Sequence, residues 1–184
     1  MKSSPTDRES EREIVRRVLR GDIEAFSGLV GSHSPRMLGL ALGIVRRRDV
    51  AEDVVQDALV KAYEKLGSWR GESSLSTWLY RIVYTTAVSS LRGGSVVGAF
   101  DLVDVAPEAP ADDADWAVTE DNIARMRRAL DALSPIDRTM VTLFYLEQKS
   151  VRDVAAICGE SEGNVKTRLH RARGRLKNLM NEMR

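Results

Sequence analysis

Apolar residues recur along this chain at three- and four-residue intervals, the spacing of helices that bury one face. Ile14, Val15, Val18 and Leu19 mark a helix over about 10–20 that Gly21 ends, and Asp22 is placed to cap the next, which carries Ala25, Phe26, Leu29 and Val30. Pro35 suits the first turn of a third helix, in which Met37, Leu38, Ala41, Ile44 and Val45 face inward. Asp49 followed by Glu52 has the spacing of a capping box. The helix it predicts buries Val50, Val54, Val55, Ala58, Leu59, Ala62 and Leu66 and ends at Gly67. Its opposite face shows Glu52, Asp53, Gln56 and Asp57. After the loop SWRGESS, Leu75, Trp78, Leu79, Ile82 and Val83 predict a helix over 75–91.

GGSVVGAFDLVDVAPEAPADDAD interrupts this periodicity with glycines, prolines and acids, so 93–118 reads as a linker. Helical spacing then resumes. Ile123, Met126, Leu130 and Leu133 define one helix ending before SPIDR, and Met140, Val141, Leu143, Phe144 and Leu146 define another. Ser150 with Asp153 is a second capping signal, opening a helix lined by Val151, Val154, Ala155 and Cys158. Gly159 makes a turn and Ser161 caps the stretch GNVKTRLHRARGRL, in which Val165, Leu169, Ala172, Leu176 and Leu179 form one stripe. The fold class is therefore all-α, in two small helical domains, 1–92 and 119–184, joined by the linker.

Charge sharpens this division. The net charge of +1 is a sum of unlike parts: 15 basic and 12 acidic residues over 1–92, none and 6 over 93–119, and 13 and 9 over 120–184. A basic amphipathic helix fits a solvated surface, a membrane surface or a nucleic-acid reader. A short helix, a glycine turn and a second helix with polar and basic residues at its start is the layout of a helix-turn-helix. In that layout Gly163, Asn164, Lys166, Thr167, His170 and Arg171 meet base edges, where Asn suits adenine and Lys suits guanine. Arg168, Arg173 and Arg175 meet phosphates.

Little in the chain suggests catalysis. Cys158, the single cysteine, lies on an apolar helix side, His170 lies among the DNA-facing residues, and His33 has no evident partner in sequence. There is no Walker-type phosphate loop or paired-carboxylate signature, and one cysteine with two histidines is a poor metal set. No catalytic residue, metal or cofactor is expected. Neither a signal-peptide core nor a membrane-length apolar run is present, so the expected location is the cytoplasm, without membrane insertion.

SVRDVAAICGESEGNVKTRLHRARGRLKNLM, preceded by LDALSPIDRTMVTLFYLEQKS, resembles the promoter-distal DNA-binding domain of bacterial sigma factors of the extracytoplasmic-function (ECF) group. AEDVVQDALVKAYEKLGSWRGESSLSTWLYRI resembles the other domain of the same family, in the expected order and separation. The resemblance implies a transcription initiation factor that directs RNA polymerase to a specialised, stress- or envelope-responsive set of promoters. Its implied partners are core RNA polymerase (the clamp helices of the largest subunit and the flap region), promoter DNA and an anti-sigma factor. Carried onto this chain, it puts polymerase binding on Glu52, Asp53, Gln56 and Asp57. It puts capture of a flipped minus-ten base on the loop with Trp69, Arg70, Ser73 and Ser74, and minus-thirty-five reading on the second helix of the motif, down to Arg173.

Two features qualify the match. Trp78 lies on the apolar stripe and reads as core, which leaves Trp69 as the exposed aromatic candidate. VYTTAVSSLRGG stands where the family commonly has a polar, basic helix; Thr85 replaces its usual Asn, and only Arg92 supplies charge. Contacts from Tyr84, Thr85, Ser89 and Arg92 to the minus-ten element are the corresponding expectation. For the acidic linker, a path along the RNA exit region of polymerase and a charge-solubilised tether stand side by side. The competing function is a stand-alone helix-turn-helix regulator, which would be a dimer on a palindromic site and would not bind polymerase.

Overall fold

The structure is a computed structural model and describes residues 5–93 and 120–182. Among the described residues there are eight α-helices and no strand: α1 (Pro5–Leu19), α2 (Ile23–Val45), α3 (Arg48–Lys65), α4 (Leu75–Gly93), α5 (Glu120–Asp131), α6 (Pro135–Val141), α7 (Val151–Cys158) and α8 (Glu162–Glu182). The expected linker lies, from residue 94 onward, outside the described residues.

Local chemistry accounts for most helix ends. Gly21 adopts φ +96°, and the Ala25 amide donates to Asp22 Oδ1 at 2.9 Å. That bond, and then the Arg17 guanidinium, hold the Asp22 carboxyl below its usual range. Ser134, Ser150 and Ser161 each accept an amide from the residue three positions on, as N-caps do. Two expectations fail. Pro35 opens no helix and lies inside α2. An interior proline costs about 3 kcal/mol, but α2 buries Leu29 before it and Met37, Leu40, Ala41 and Ile44 after it, enough apolar surface to hold one continuous helix. Asp49 caps nothing: α3 begins at Arg48, Asp49 pairs with Arg47, and Glu52 pairs with Arg48 at 2.8 Å. The arginines on either side of Asp49 supply ion pairs that compete with the capping geometry. At its other end α3 passes into a 3₁₀ turn, Leu66–Ser68.

Helices α2, α3 and α4 pack on one another, with α1 against α2. Helices α5, α6 and α7 each pack on α8. The two halves also meet: α4 runs along α7 and α2 along α6, so that Met37, Leu40, Tyr80 and Val83 share one buried cluster with Leu133, Met140, Val154 and Ile157.

The seam between the halves is shaped by a turn. Thr142–Leu146 forms a π-helical turn, and Gln148 follows at φ +52°. Such wide turns redirect a chain abruptly. Here Glu147 and Lys149 are brought against the first half. Tyr80 Oη donates to Glu147 Oε2 at 3.0 Å, and Lys149 Nζ donates to Ser76 Oγ at 2.7 Å while lying 5.0 Å from the Tyr80 ring centroid. Burial drives the Tyr80 phenol pKa well up and the Lys149 ammonium down.

His33 is half-buried close by, and its Nδ1 is buried without a hydrogen-bond partner. Burial, then the charges of Lys149 and Arg36, hold the imidazole below its ordinary 6.5, with Glu147 opposing. The native fold favours the neutral ring. Between the lowered native value and 6.5 the unfolded chain binds more protons, so stability rises with pH through that window and is lost as pH falls below 6.5. His33→Leu should therefore shrink the Tm difference between pH about 7.5 and about 5.5, measured by calorimetry; an undiminished difference would remove His33 as its source.

Candidate nucleic-acid interface

Helix α7 buries Val154, Ala155 and Ile157 and stops at Gly159, whose φ of +73° lets its amide reach Ala155 O at 2.9 Å. The Glu160 amide also returns to Ala155 O, at 3.1 Å, and Ser161 then starts α8. The chain thus makes a tight helix-turn-helix. Of the predicted stripe on α8, Val165, Leu169 and Ala172 are buried and Leu176 and Leu179 half-buried, with Met180 closing the far end.

The face opposite that stripe is open. Gly163, Asn164, Lys166, Thr167, His170, Arg171 and Arg173 are all exposed. The Asn164 amide donates to Glu160 Oε2 at 2.6 Å, and the Thr167 hydroxyl donates to Gly163 O at 3.0 Å. A Cβ on Gly163 would meet nothing within 4 Å, so the fold itself does not demand glycine there. Arg168 departs from expectation. Its guanidinium turns inward to Asp137 Oδ1 at 2.6 Å, both side chains being under one-fifth exposed, and it ties α8 to α6 instead of offering its charge to a phosphate.

The loop between α3 and α4 is less open than its composition suggests. Trp69 is half-buried against the cluster of Val15, Val18, Leu66 and Leu75, and its Nε1 is buried without a partner. Trp78 packs on the same cluster, as its stripe position predicts. Gly71 is buried at φ +74°, and a Cβ there would come within 3.2 Å of the Arg12 guanidinium, so α1 covers this part of the loop. Ser74 serves α4 as a cap: its Oγ accepts the Thr77 amide at 3.2 Å and lies 2.8 Å from Thr77 Oγ1. Ser73 is half-buried and Arg70 exposed.

On α4, Tyr84 is 9% exposed and belongs to the shared core, contrary to the expected DNA contact; its ring fills space that a solvated helix would leave open. Thr85 is exposed, with its hydroxyl donating back to the Arg81 and Ile82 carbonyls. Ser89 is exposed, and the side chain of Arg92 lies outside the described residues.

On α3, Glu52, Asp53, Gln56 and Asp57 are exposed along one side, while Ala51, Val54, Val55, Ala58 and Ala62 are buried on the other. The same outer side carries Val60, 59% exposed, and Tyr63, 46% exposed, whose ring meets Phe26 edge-on at 5.1 Å. The hydrophobic pattern alone does not distinguish these two from core residues. The signal available in the sequence was their spacing of three to four residues from Gln56 and from each other.

The family comparisons match both halves. The family described as "Sigma-70 region 2" matches residues 29–95, and "Sigma-70, region 4" matches residues 123–176. This chain belongs to the ECF RNA polymerase sigma factors. It is 36% identical over 181 residues to the RNA polymerase sigma-H factor of Pseudomonas aeruginosa, covering 90% of this chain and 91% of that one. It is 32% identical to the ECF RNA polymerase sigma factor SigM of Mycobacterium tuberculosis, covering 93% and 85%. Among solved structures, the sigma factor RpoE in complex with the anti-sigma factor NepR from Bartonella quintana superposes with a TM-score of 0.65 at 29% identity, over 85% of this chain and 96% of that one. CnrH in complex with the cytosolic domain of CnrY, at 22% identity and a TM-score of 0.67 over 94% of this chain and 97% of that one, shares the fold.

The two cationic residues two positions apart in α8 of this sigma factor have different work, and stability measurements separate them. Arg168→Ala leaves Asp137 without its ion pair and should cost about 1–3 kcal/mol in urea unfolding, while Lys166→Ala, on the exposed face, should stay within about 0.5 kcal/mol of wild type. Cys158 is mostly buried, and burial pushes its thiol pKa up to about 12. It should therefore react with a soluble disulfide reagent at pH about 8 far more slowly than a free thiol of pKa about 8.5, reaching the free-thiol rate only after denaturation.

Proposed function

We propose that this chain binds core RNA polymerase through the outer side of α3 and reads promoter DNA with both halves. The assignments are a polymerase-binding and minus-ten domain over 1–92, a linker over 93–118 and a minus-thirty-five domain over 119–184. The observation that carries this reading is the open edge of α8, Gly163 to Arg173, on a helix-turn-helix whose one inward arginine is consumed by the fold. Asn164 and Lys166 supply the donors and acceptor that distinguish adenine and guanine in a major groove. Thr167, His170 and Arg171 extend the reading edge, and Arg173 and Arg175 position it on phosphates.

The acidic and amide groups Glu52, Asp53, Gln56 and Asp57, with Val60 exposed among them, suit a basic coiled-coil partner that also offers an apolar contact, such as the clamp helices of polymerase. For the second half, the flap region is the corresponding partner. Arg70, Ser73, Thr85, Ser89 and Arg92 remain the candidates for minus-ten contact; Trp69 and Tyr84 contribute by packing, and Ser74 by capping. An anti-sigma factor is the natural regulatory partner, since the RpoE relative is seen bound to one. The chemistry of RNA synthesis belongs to the polymerase, and the place of action is the cytoplasm where polymerase and chromosome meet. A stand-alone regulator has no observation in its favour, because region 2 and region 4 both match in order.

The test combines purified chain, sigma-free core polymerase and a promoter library, and sequences the transcripts. A shared two-part upstream element is expected. Lys166→Ala should cost about 1–3 kcal/mol of discrimination at one minus-thirty-five position and leave core binding intact, while paired Asp53→Lys and Asp57→Lys should abolish co-migration with core. Equal loss of core binding in Lys166→Ala would overturn the division of labour.

A further inference from the structure

Helix α1 runs along the loop between α3 and α4 in a regular register. A Cβ on Gly67 would lie 3.7 Å from Leu19 Cδ2, Trp69 packs in one cluster with Val15 and Val18, and a Cβ on Gly71 would lie 3.2 Å from both Nε and Nη2 of Arg12 and 3.6 Å from its Cζ. Successive turns of the helix thus meet every second residue of the loop, 67, 69 and 71. The residues between and after them, Ser68, Arg70 and Glu72, are exposed. Equal distances to Nε and Nη2, with Cζ farther away, mean that the two-donor edge of the Arg12 guanidinium, not its flat face, is turned to Gly71.

That edge is the one that grips an oxyanion with two parallel hydrogen bonds. The next arginines on α1 are engaged, Arg16 with Glu13 at 2.5 Å and Arg17 with Asp22 at 2.7 Å. Arg12 is exposed and, among the described residues, no acid pairs with it. Gly71 keeps the donor edge clear: its φ of +74° favours glycine, and any side chain there would stand against Nε and Nη2. Arg70, the residue before it, is exposed as well. Helix α4, by contrast, is short of available charge. Arg81 donates to the Ala156 carbonyl at 3.0 Å, and the Thr85 hydroxyl bonds back to its own helix.

We propose that Arg12 grips a backbone phosphate of the DNA strand whose minus-ten base enters the 69–74 loop, so that α1 supplies the charge that α4 lacks. The identity of the strand rests on the minus-ten reading above; the anion-gripping edge rests on the contacts between α1 and the loop. A phosphate suits a planar two-donor fork, and a strand entering a loop base-first carries phosphates on either side of that base. Such a contact holds no sequence information. Arg12 therefore fixes where the strand lies and leaves the choice of base to the loop itself.

The test uses the full chain bound to sigma-free core polymerase and fluorescein-labelled single-stranded DNA oligonucleotides of varied sequence, titrated over a range of salt. Arg12→Gln should weaken binding about three- to ten-fold, by a similar factor on every sequence, and should reduce the slope of log K against log salt by about 0.7, the share of one single-strand phosphate. Arg12→Lys, which keeps the charge, should keep the slope. A single neutral methylphosphonate linkage, scanned along the oligonucleotide, should at one position weaken wild type and leave Arg12→Gln unaffected. An altered base preference with an unchanged slope would mean that α1 only shapes the loop, and would overturn the phosphate contact, as would equal binding by wild type and Arg12→Gln. Transcription is read separately. A complex whose oligonucleotide binding depends on Arg12 in this way but which starts no promoter-directed transcript would sink the promoter reading and leave the phosphate contact standing.

Discussion

Helix α4 has to satisfy neighbours on two sides at once, and the remainder of the architecture follows from that. It packs on α2 and α3 within its own half and on α7 in the other. Leu75, Thr77, Leu79, Tyr80, Val83, Tyr84, Thr86 and Ala87 are all buried, which is most of its circumference over three turns. A helix in that position is apolar nearly all round, and the few hydroxyls it buries need partners. Thr77 finds Ser74 and Asp153, and Thr86 accepts from Lys61 Nζ at 3.3 Å. Within VYTTAVSSLRGG, Val83, Tyr84 and Ala87 belong to the buried cluster that also holds residues of the second half.

The same demand explains how charge is distributed. Lys166, Arg171, Arg173 and Arg175 are exposed on α8, whereas Arg168 and Arg46 are spent on joining helices, and Arg81 donates to the opposing half. Arg168, under one-fifth exposed, needs its donors met and pairs with Asp137 of α6, while the exposed Arg46 and Arg81 donate to backbone carbonyls across the seam. Composition would count all of them as one basic surface. In the structure they divide into an exposed edge and a set of internal ties.

Helix identity was legible in the chain itself because it depends on neighbours within one or two turns. Asp22, Ser150 and Ser161 cap where their spacing says, and Val165, Leu169 and Ala172 face inward where periodicity puts them. The exposed acids of α3 and the polar edge of α8 were legible for the same reason: a residue opposite a buried stripe on a single helix is outward by geometry. The helix-turn-helix needed only Gly159, whose left-handed conformation is a local requirement.

Tertiary structure decided the rest. Pro35 stays inside α2 because apolar surface on both sides of it is buried by other helices, whereas Asp49 gives up capping for a local reason, its pairing with Arg47 two residues before it. Trp69 and Tyr84, which look like exposed aromatics from their surroundings in sequence, pack into clusters assembled from distant segments. Above all, the contact of Ser76, Thr77, Tyr80 and Arg81 with residues 147–156 joins positions some seventy apart in the chain. Hydrophobic spacing states which side of a helix avoids water; it carries no information about which other helix will cover it. That pairing is fixed by packing and hydrogen bonding among surfaces that meet only after the chain has folded.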